Sequence, residues 1–130
     1  ILGESMIGSR IEIELPNVHI IRDYPNSQYF NGFDAVIQAG GYNSFHETRA
    51  FGLPALFYPN METGMDDQLA RCLVAEEEGW GCVVQNRTKQ QIQQGIEKLL
   101  THTSKPEPQE YVNGADVLAA KIRSKLGDST

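Results

Sequence analysis

Between Asp34 and Pro59 the chain reads Asp-Ala-Val-Ile-Gln-Ala-Gly-Gly-Tyr-Asn-Ser-Phe-His-Glu-Thr-Arg-Ala-Phe-Gly-Leu-Pro-Ala-Leu-Phe-Tyr-Pro. A short apolar run ends at a Gly-Gly pair, a helical stretch follows at once, and a second apolar run begins after Gly52-Leu-Pro54. Strand, tight turn and helix in that order confine the segment to an α/β architecture. The same order creates an anion site. Glycine lets the backbone come close to a ligand, and the unpaired N–H groups of the first helical turn face outward with the helix dipole behind them. A phosphate is the usual guest of such a turn.

The rest of the chain repeats the alternation. Val18–Arg22, Ala35–Gln38, Ala55–Tyr58 and Cys82–Val84 are the expected strands, and Asn43–Phe51, Asp67–Glu78 and Lys89–Leu100 the expected helices. The last of these carries Ile92, Ile96, Leu99 and Leu100 on one face. Gly52 and Gly79 stand where helices stop, and Thr88 with Gln91 matches a capping box. Arg10–Leu15 alternates like a half-buried strand but also fits a helix end, and its state is left open. Thr101–Glu110, with Pro106 and Pro108, reads as an extended connector to a terminal helix near Ala115–Leu126, striped by Ala115, Leu118, Ile122 and Leu126. The whole is expected to be a Rossmann-like α/β domain whose mainly parallel sheet is flanked by helices.

A length of 130 residues fits one domain with one core, small for a complete metabolic enzyme. The opening on Ile1 rather than methionine reads as a truncated piece of a longer protein. A net charge of −6 gives no general attraction for polyanions, so nucleic acid is not an expected partner. Cys72 and Cys82 have neither a redox nor a metal-ligand spacing, and no signal peptide or apolar span is visible, so the expected location is cytoplasmic. Membrane association of the intact protein is left open.

Gly40-Gly-Tyr-Asn-Ser-Phe-His-Glu47, then Gly52-Leu-Pro54, Pro59 and Asp67-Gln68, resembles the donor-binding half of GT-B glycosyltransferases, the group of the MurG-like and UDP-glycosyltransferase families. The plant signature of that group has His-Cys-Gly-Trp-Asn-Ser-x-x-Glu, a Gly-x-Pro, a further proline and an Asp/Glu-Gln pair, and the spacing from Ser44 through Pro59 agrees with it. The likeness covers about residues 18 to 84. Two departures stand out: Ala39 replaces the signature histidine, and the loop from Pro59 to Gln68 is longer than the plant form.

What the resemblance implies is one half of a GT-B fold, residues 1–130 being a donor-nucleotide-binding domain with 101–130 as connector and terminal helix. It implies transfer of a hexose from a nucleoside diphosphate sugar, by analogy a UDP-sugar, with the sugar nucleotide as substrate and no cofactor or metal. Gly40, Gly41, Tyr42, Asn43 and Ser44 would hold the diphosphate, Glu47 the ribose, Asp67 and Gln68 the donor sugar. Arg22 and Tyr24 would lie at the nucleobase. The acceptor site and general base belong to an N-terminal domain or partner subunit outside this chain, so no catalytic residue is assigned and the isolated domain is expected to be inactive.

Each of these residues also has a structural reading. The two glycines fit any strand-to-helix turn. Ser44-x-x-Glu47 matches a capping box, which would leave Glu47 satisfying backbone donors. Asp66-Asp67-Gln68 invites a divalent cation or a helix N-cap as well as a sugar; the sugar is preferred. His19, His46 and His102 are given no chemistry, His46 being expected to be solvated or packed, and Trp80 is expected to pack. Two further functions share the pattern: a sugar-nucleotide 2-epimerase of the same fold, and a non-catalytic donor-binding subunit working with a separate chain. Asp-Asp-Gln, in place of a segment rich in Thr-Glu-Arg and Pro-Glu, favours transfer.

Overall fold

The computed structural model describes residues 1–3, 10–106 and 114–127. Its elements are β1 (Leu2–Gly3), β2 (Ile20–Ile21), a 3-10 helix (Asn26–Gly32), β3 (Val36–Gln38), α1 (Tyr42–Ala50), β4 (Ala55–Phe57), α2 (Gln68–Glu77), β5 (Gly81–Val83), α3 (Lys89–His102) and α4 (Gly114–Gly127). The mixed α/β class expected from the alternation of runs is the one observed.

β3, β4 and β5 form a parallel sheet with β4 in the centre; Val36 and Gly81 both lie opposite Ala55, and Gln38 and Val83 opposite Phe57. All three residues of β4 are buried, as expected of a parallel strand covered on both faces. Its alternation assigns the layers. Ala55 and Phe57 join Phe45 of α1, Cys72 and Ala75 of α2 and Trp80 in one cluster, while Leu56 packs with Cys82, Val84 and Leu99 of α3 in another. Helices α1 and α2 therefore cover one face and α3 the other. Contact with α3 is close: a Cβ on Gly95 would come 2.6 Å from Val84 Cγ2 and 3.0 Å from Leu56 Cδ1.

Both expected helix stops hold. Gly52 N donates to Arg49 O and Leu53 N to Thr48 O, and Gly79 N and Trp80 N repeat the pattern on Glu76 O and Ala75 O. These paired bonds satisfy the last carbonyls of α1 and α2. Thr88 caps α3 by accepting from Gln91 N at 3.3 Å. Trp80 is 1 % exposed, wedged against Phe45 and Phe57, with its indole N–H on Glu78 Oε2 at 2.8 Å, the packing role expected of it.

Several expectations are corrected. The first expected strand shrinks from Val18–Arg22 to Ile20–Ile21, which pairs in parallel with the two-residue β1. These two strands form a sheet separate from β3–β5, so the sheet is divided rather than continuous. Arg10–Leu15 is neither strand nor helix, and all of it but Ile11 is exposed; alternation without a partner strand creates no ladder. The 3-10 helix was unforeseen. α3 runs on to His102, and residues 107–110 of the expected connector lie outside the described residues. α4 forms as expected, but none of its residues is buried, and Leu118, Ile122 and Leu126 are exposed.

Candidate functional site

Gly40 and Gly41 join β3 to α1, and the two glycines do different work. Gly40 has φ +83°, and a Cβ there would lie 2.3 Å from Cys72 Sγ, so both the conformation and the packing require glycine. Gly41 has an ordinary φ of −56° and nothing within 4 Å of the space a Cβ would fill. It is the N-cap of α1, with no side-chain capping bond. The first backbone bond of the helix is Phe45 N to Gly41 O at 2.9 Å, so Tyr42, Asn43 and Ser44 precede the helical ladder and their N–H groups lie in the uncapped first turn. Ser44 and Glu47 therefore form no capping box; the cap falls three residues earlier than that template needs. Gln38 ties the end of β3 to α1 by donating to Thr48 Oγ1 at 2.6 Å and Ser44 O at 3.3 Å.

A cavity of about 690 Å³ opens beside this turn, between β1–β2 and the free edge of β3. Its volume falls within the range of small-molecule sites. Asn43, Ser44 and Glu47 line one side and Tyr24 another. The phosphate, ribose and nucleobase assignments thus meet in one place for these four residues. Arg22 is exposed and is not among the lining residues. Tyr42 is not among the lining residues; its exposed ring lies 4.5 Å from that of His46 and under the Arg71 guanidinium at 5.3 Å. His46 also meets Phe45 edge-on while remaining exposed; partial desolvation, then Arg71 and Arg49, lowers its pKa.

Asp67 and Gln68 line a different hollow, of about 550 Å³, with Asp66 and the loop from Asn60 to Met65. Asp67 is the N-cap of α2 and accepts from Ala70 N at 2.9 Å through Oδ1. Gln68 is only 9 % exposed, and its Oε1 accepts from Asn60 N at 3.0 Å. Asp66 pairs with Arg71, and that hydrogen bond holds its carboxyl below the usual carboxylate range. Among the described residues no group of three or more His, Cys, Asp or Glu has the arrangement of a metal site. No described helix is long and apolar enough to cross a membrane.

Three contributors escaped the sequence reading. Asn26 lines the larger cavity with a buried Oδ1 that has no hydrogen-bond partner, and its amide lies against Gly3, where a Cβ would come 2.5 Å from Nδ2. Gln38 looked like a strand residue. Arg71 follows Asp67 by the helical spacing of four, but the pair it makes is with Asp66, because the cap occupies Asp67.

Residues 11–122 match the glycosyltransferase family 28 C-terminal domain. The chain belongs to that family. It is 32 % identical over 96 residues to an uncharacterized glycosyltransferase of Methanosarcina acetivorans, a match covering 71 % of this chain and 24 % of that protein. Among solved structures, the spinosyn forosaminyltransferase SpnP superposes with a TM-score of 0.61 at 22 % identity, over 72 % of this chain and 25 % of that one. The glycotransferase of kitacinnamycin gives 0.56 at 20 % identity, over 69 % and 24 %. Both likenesses show a GT-B glycosyltransferase fold, and the chain spans about a quarter of the length of the relatives it matches.

Proposed function

We propose that this chain is the donor-binding domain of a glycosyltransferase that moves a hexose from a nucleoside diphosphate sugar, UDP-sugar being the default by family analogy, to an acceptor held by an N-terminal domain or partner subunit. The observation that carries the reading is the uncapped first turn of α1, with Asn43, Ser44 and Glu47 sharing one cavity with Tyr24. The N–H groups of Tyr42, Asn43 and Ser44 receive the diphosphate, with the helix dipole in support. Glu47, one turn further on and spared from capping, accepts from the ribose hydroxyls. Tyr24 and Asn26 face the base, and Arg22 approaches from outside the cavity. Asp67 keeps one carboxylate oxygen beyond its cap for a sugar hydroxyl, and Gln68 shapes the same hollow.

In the displacement at the anomeric carbon, negative charge develops on the departing diphosphate. Preorganised backbone donors stabilise it at roughly 2.7–4 kcal/mol apiece in a dry site, so neither metal nor cofactor is required of this domain. Dryness needs closure of the second domain over the donor, which is why the isolated chain binds but does not turn over. The proposed location is the cytoplasm.

Titration calorimetry with UDP, TDP and GDP, accompanied by amide NMR, tests this. Weak binding with shifts at Gly41–Ser44 and Glu47 is expected, together with no sugar transfer. Absence of binding for every nucleoside diphosphate refutes the donor-site reading, and measurable transfer by the chain alone refutes the half-site reading.

A further inference from the structure

One side chain links the Gly40 turn to the loop that lines the smaller hollow. Arg71, in the first turn of α2, donates from Nη1 to Gly40 O at 2.8 Å, pairs through Nη2 with the Asp66 carboxylate, and lays its guanidinium 5.3 Å from the centroid of the Tyr42 ring. The side chain is 19 % exposed. The Gly40 carbonyl is in the same rigid peptide plane as the Gly41 N–H, so holding the oxygen fixes where that N–H points. On the other side Asp66 organises the loop: its own backbone oxygen accepts from Thr63 Oγ1 at 2.7 Å and from Gln68 N at 2.9 Å. A planar fork of donors serves both acceptors at once, which a single ammonium does not.

We propose that Arg71 is a positioning residue that locks the sugar-facing loop, Asn60–Gln68, to the phosphate turn, Gly40–Tyr42, so that the two hollows hold one relative geometry. The role assigned to the two hollows rests on the donor-binding reading above; the mechanical coupling does not. A disturbance on the loop side of the clamp is felt at the turn, 26 residues away in sequence between Asp66 and Gly40. The donor sugar and the diphosphate are thereby read together rather than as independent fragments.

The test uses the ¹⁵N-labelled chain carrying Asp66→Asn, Arg71→Gln or Arg71→Lys. Asp66→Asn lies wholly on the loop side, yet it should move the Gly41 and Tyr42 amide signals. Arg71→Lys should behave like Arg71→Gln rather than like the native chain. Changes from Asp66→Asn confined to residues 60–68, or a lowered melting temperature with Gly41 and Tyr42 unmoved, overturn the coupling. If Arg71→Gln does not fold, Asp66→Asn alone decides. As a second readout, UDP-glucose and UDP-N-acetylglucosamine are titrated against UDP: whatever affinity the sugar adds in the native chain should shrink at least 5-fold in Arg71→Gln. Failure of the native chain to bind any of the three counts against the donor reading, while the amide measurements, which need no ligand, still decide the role of Arg71.

Discussion

Replacing each of the two turn glycines by alanine should give opposite phenotypes. At Gly40 the new Cβ meets two penalties. A φ of +83° costs an L-residue roughly 1–2 kcal/mol, and a Cβ placed 2.3 Å from Cys72 Sγ adds about 1–3 kcal/mol of overpacking. The total of about 2–5 kcal/mol is a large part of the stability of an ordinary domain, and corresponds to a fall in Tm of about 8–20 °C. At Gly41 neither penalty applies, and alanine loses only about 0.5–1 kcal/mol as a poorer N-cap. Its methyl group instead occupies open space over the first turn of α1, where the diphosphate would sit. Thermal and urea denaturation of both variants, with UDP titration of Gly41→Ala, measure the contrast. The expected result is a strongly destabilised Gly40→Ala and a stable Gly41→Ala that binds UDP at least 10-fold more weakly. Adding Cys72→Ala to Gly40→Ala should recover the steric part, a coupling of at least about 1 kcal/mol in a double-mutant cycle, and leave the conformational part. A Gly40→Ala protein melting within about 2 °C of the native chain, or a cycle without coupling, refutes the argument.

Glu47→Gln should weaken UDP binding about 10-fold, or about 1.4 kcal/mol, at unchanged Tm, because Glu47 makes no cap in α1; a lowered Tm with unchanged affinity reverses the assignment. Asp66 is held below its ordinary pKa by Arg71, so its contribution to stability is present above the unfolded-state value near 4 and is lost as pH falls through the folded value. Urea melts of Asp66→Asn should accordingly show a shallower acid limb than the native chain, and identical limbs would remove the ion pair from the account. Burial pushes the Cys72 thiol from 9.0 up to about 11. Its neutral form therefore stabilises the fold fully below about pH 9, and this is lost as pH rises towards 11, so alkylation at pH 8 should be slow in the native chain and fast in urea. Rapid native modification of Cys72 would contradict its place beneath the Gly40 turn. Asp67→Asn keeps an acceptor for the Ala70 amide, so it should leave Tm nearly unchanged while weakening a UDP-sugar more than UDP; equal loss for both ligands would take Asp67 out of the sugar site.

What the sequence determined by itself is everything that depends on neighbours a few residues apart. Apolar runs of three or four residues, helical periodicity and a glycine after each of α1 and α2 place β3, β4, β5, α1, α2 and α3 to within a residue or two, because strand pleat, helix pitch and Schellman stops are short-range properties. The Gly40–Gly41 turn is legible for the same reason: glycine tolerates what other residues do not. The tertiary structure alone decided which equally permitted local option was taken. Ser44 and Glu47 match a capping box, yet the close packing of Gly40 on Cys72 sets the turn so that Gly41 becomes the cap and Glu47 is left facing the cavity. Asp67 takes the cap of α2, which hands Arg71 to Asp66 and to a carbonyl 31 residues distant. Gln68 turns inward to the Asn60 amide, and Arg10–Leu15, alternating but unpartnered, forms no strand. A hydrogen bond or a strand ladder needs a partner at about 3 Å, and where that partner comes from across the fold, only the packing of α1 and α2 on one face of the sheet decides.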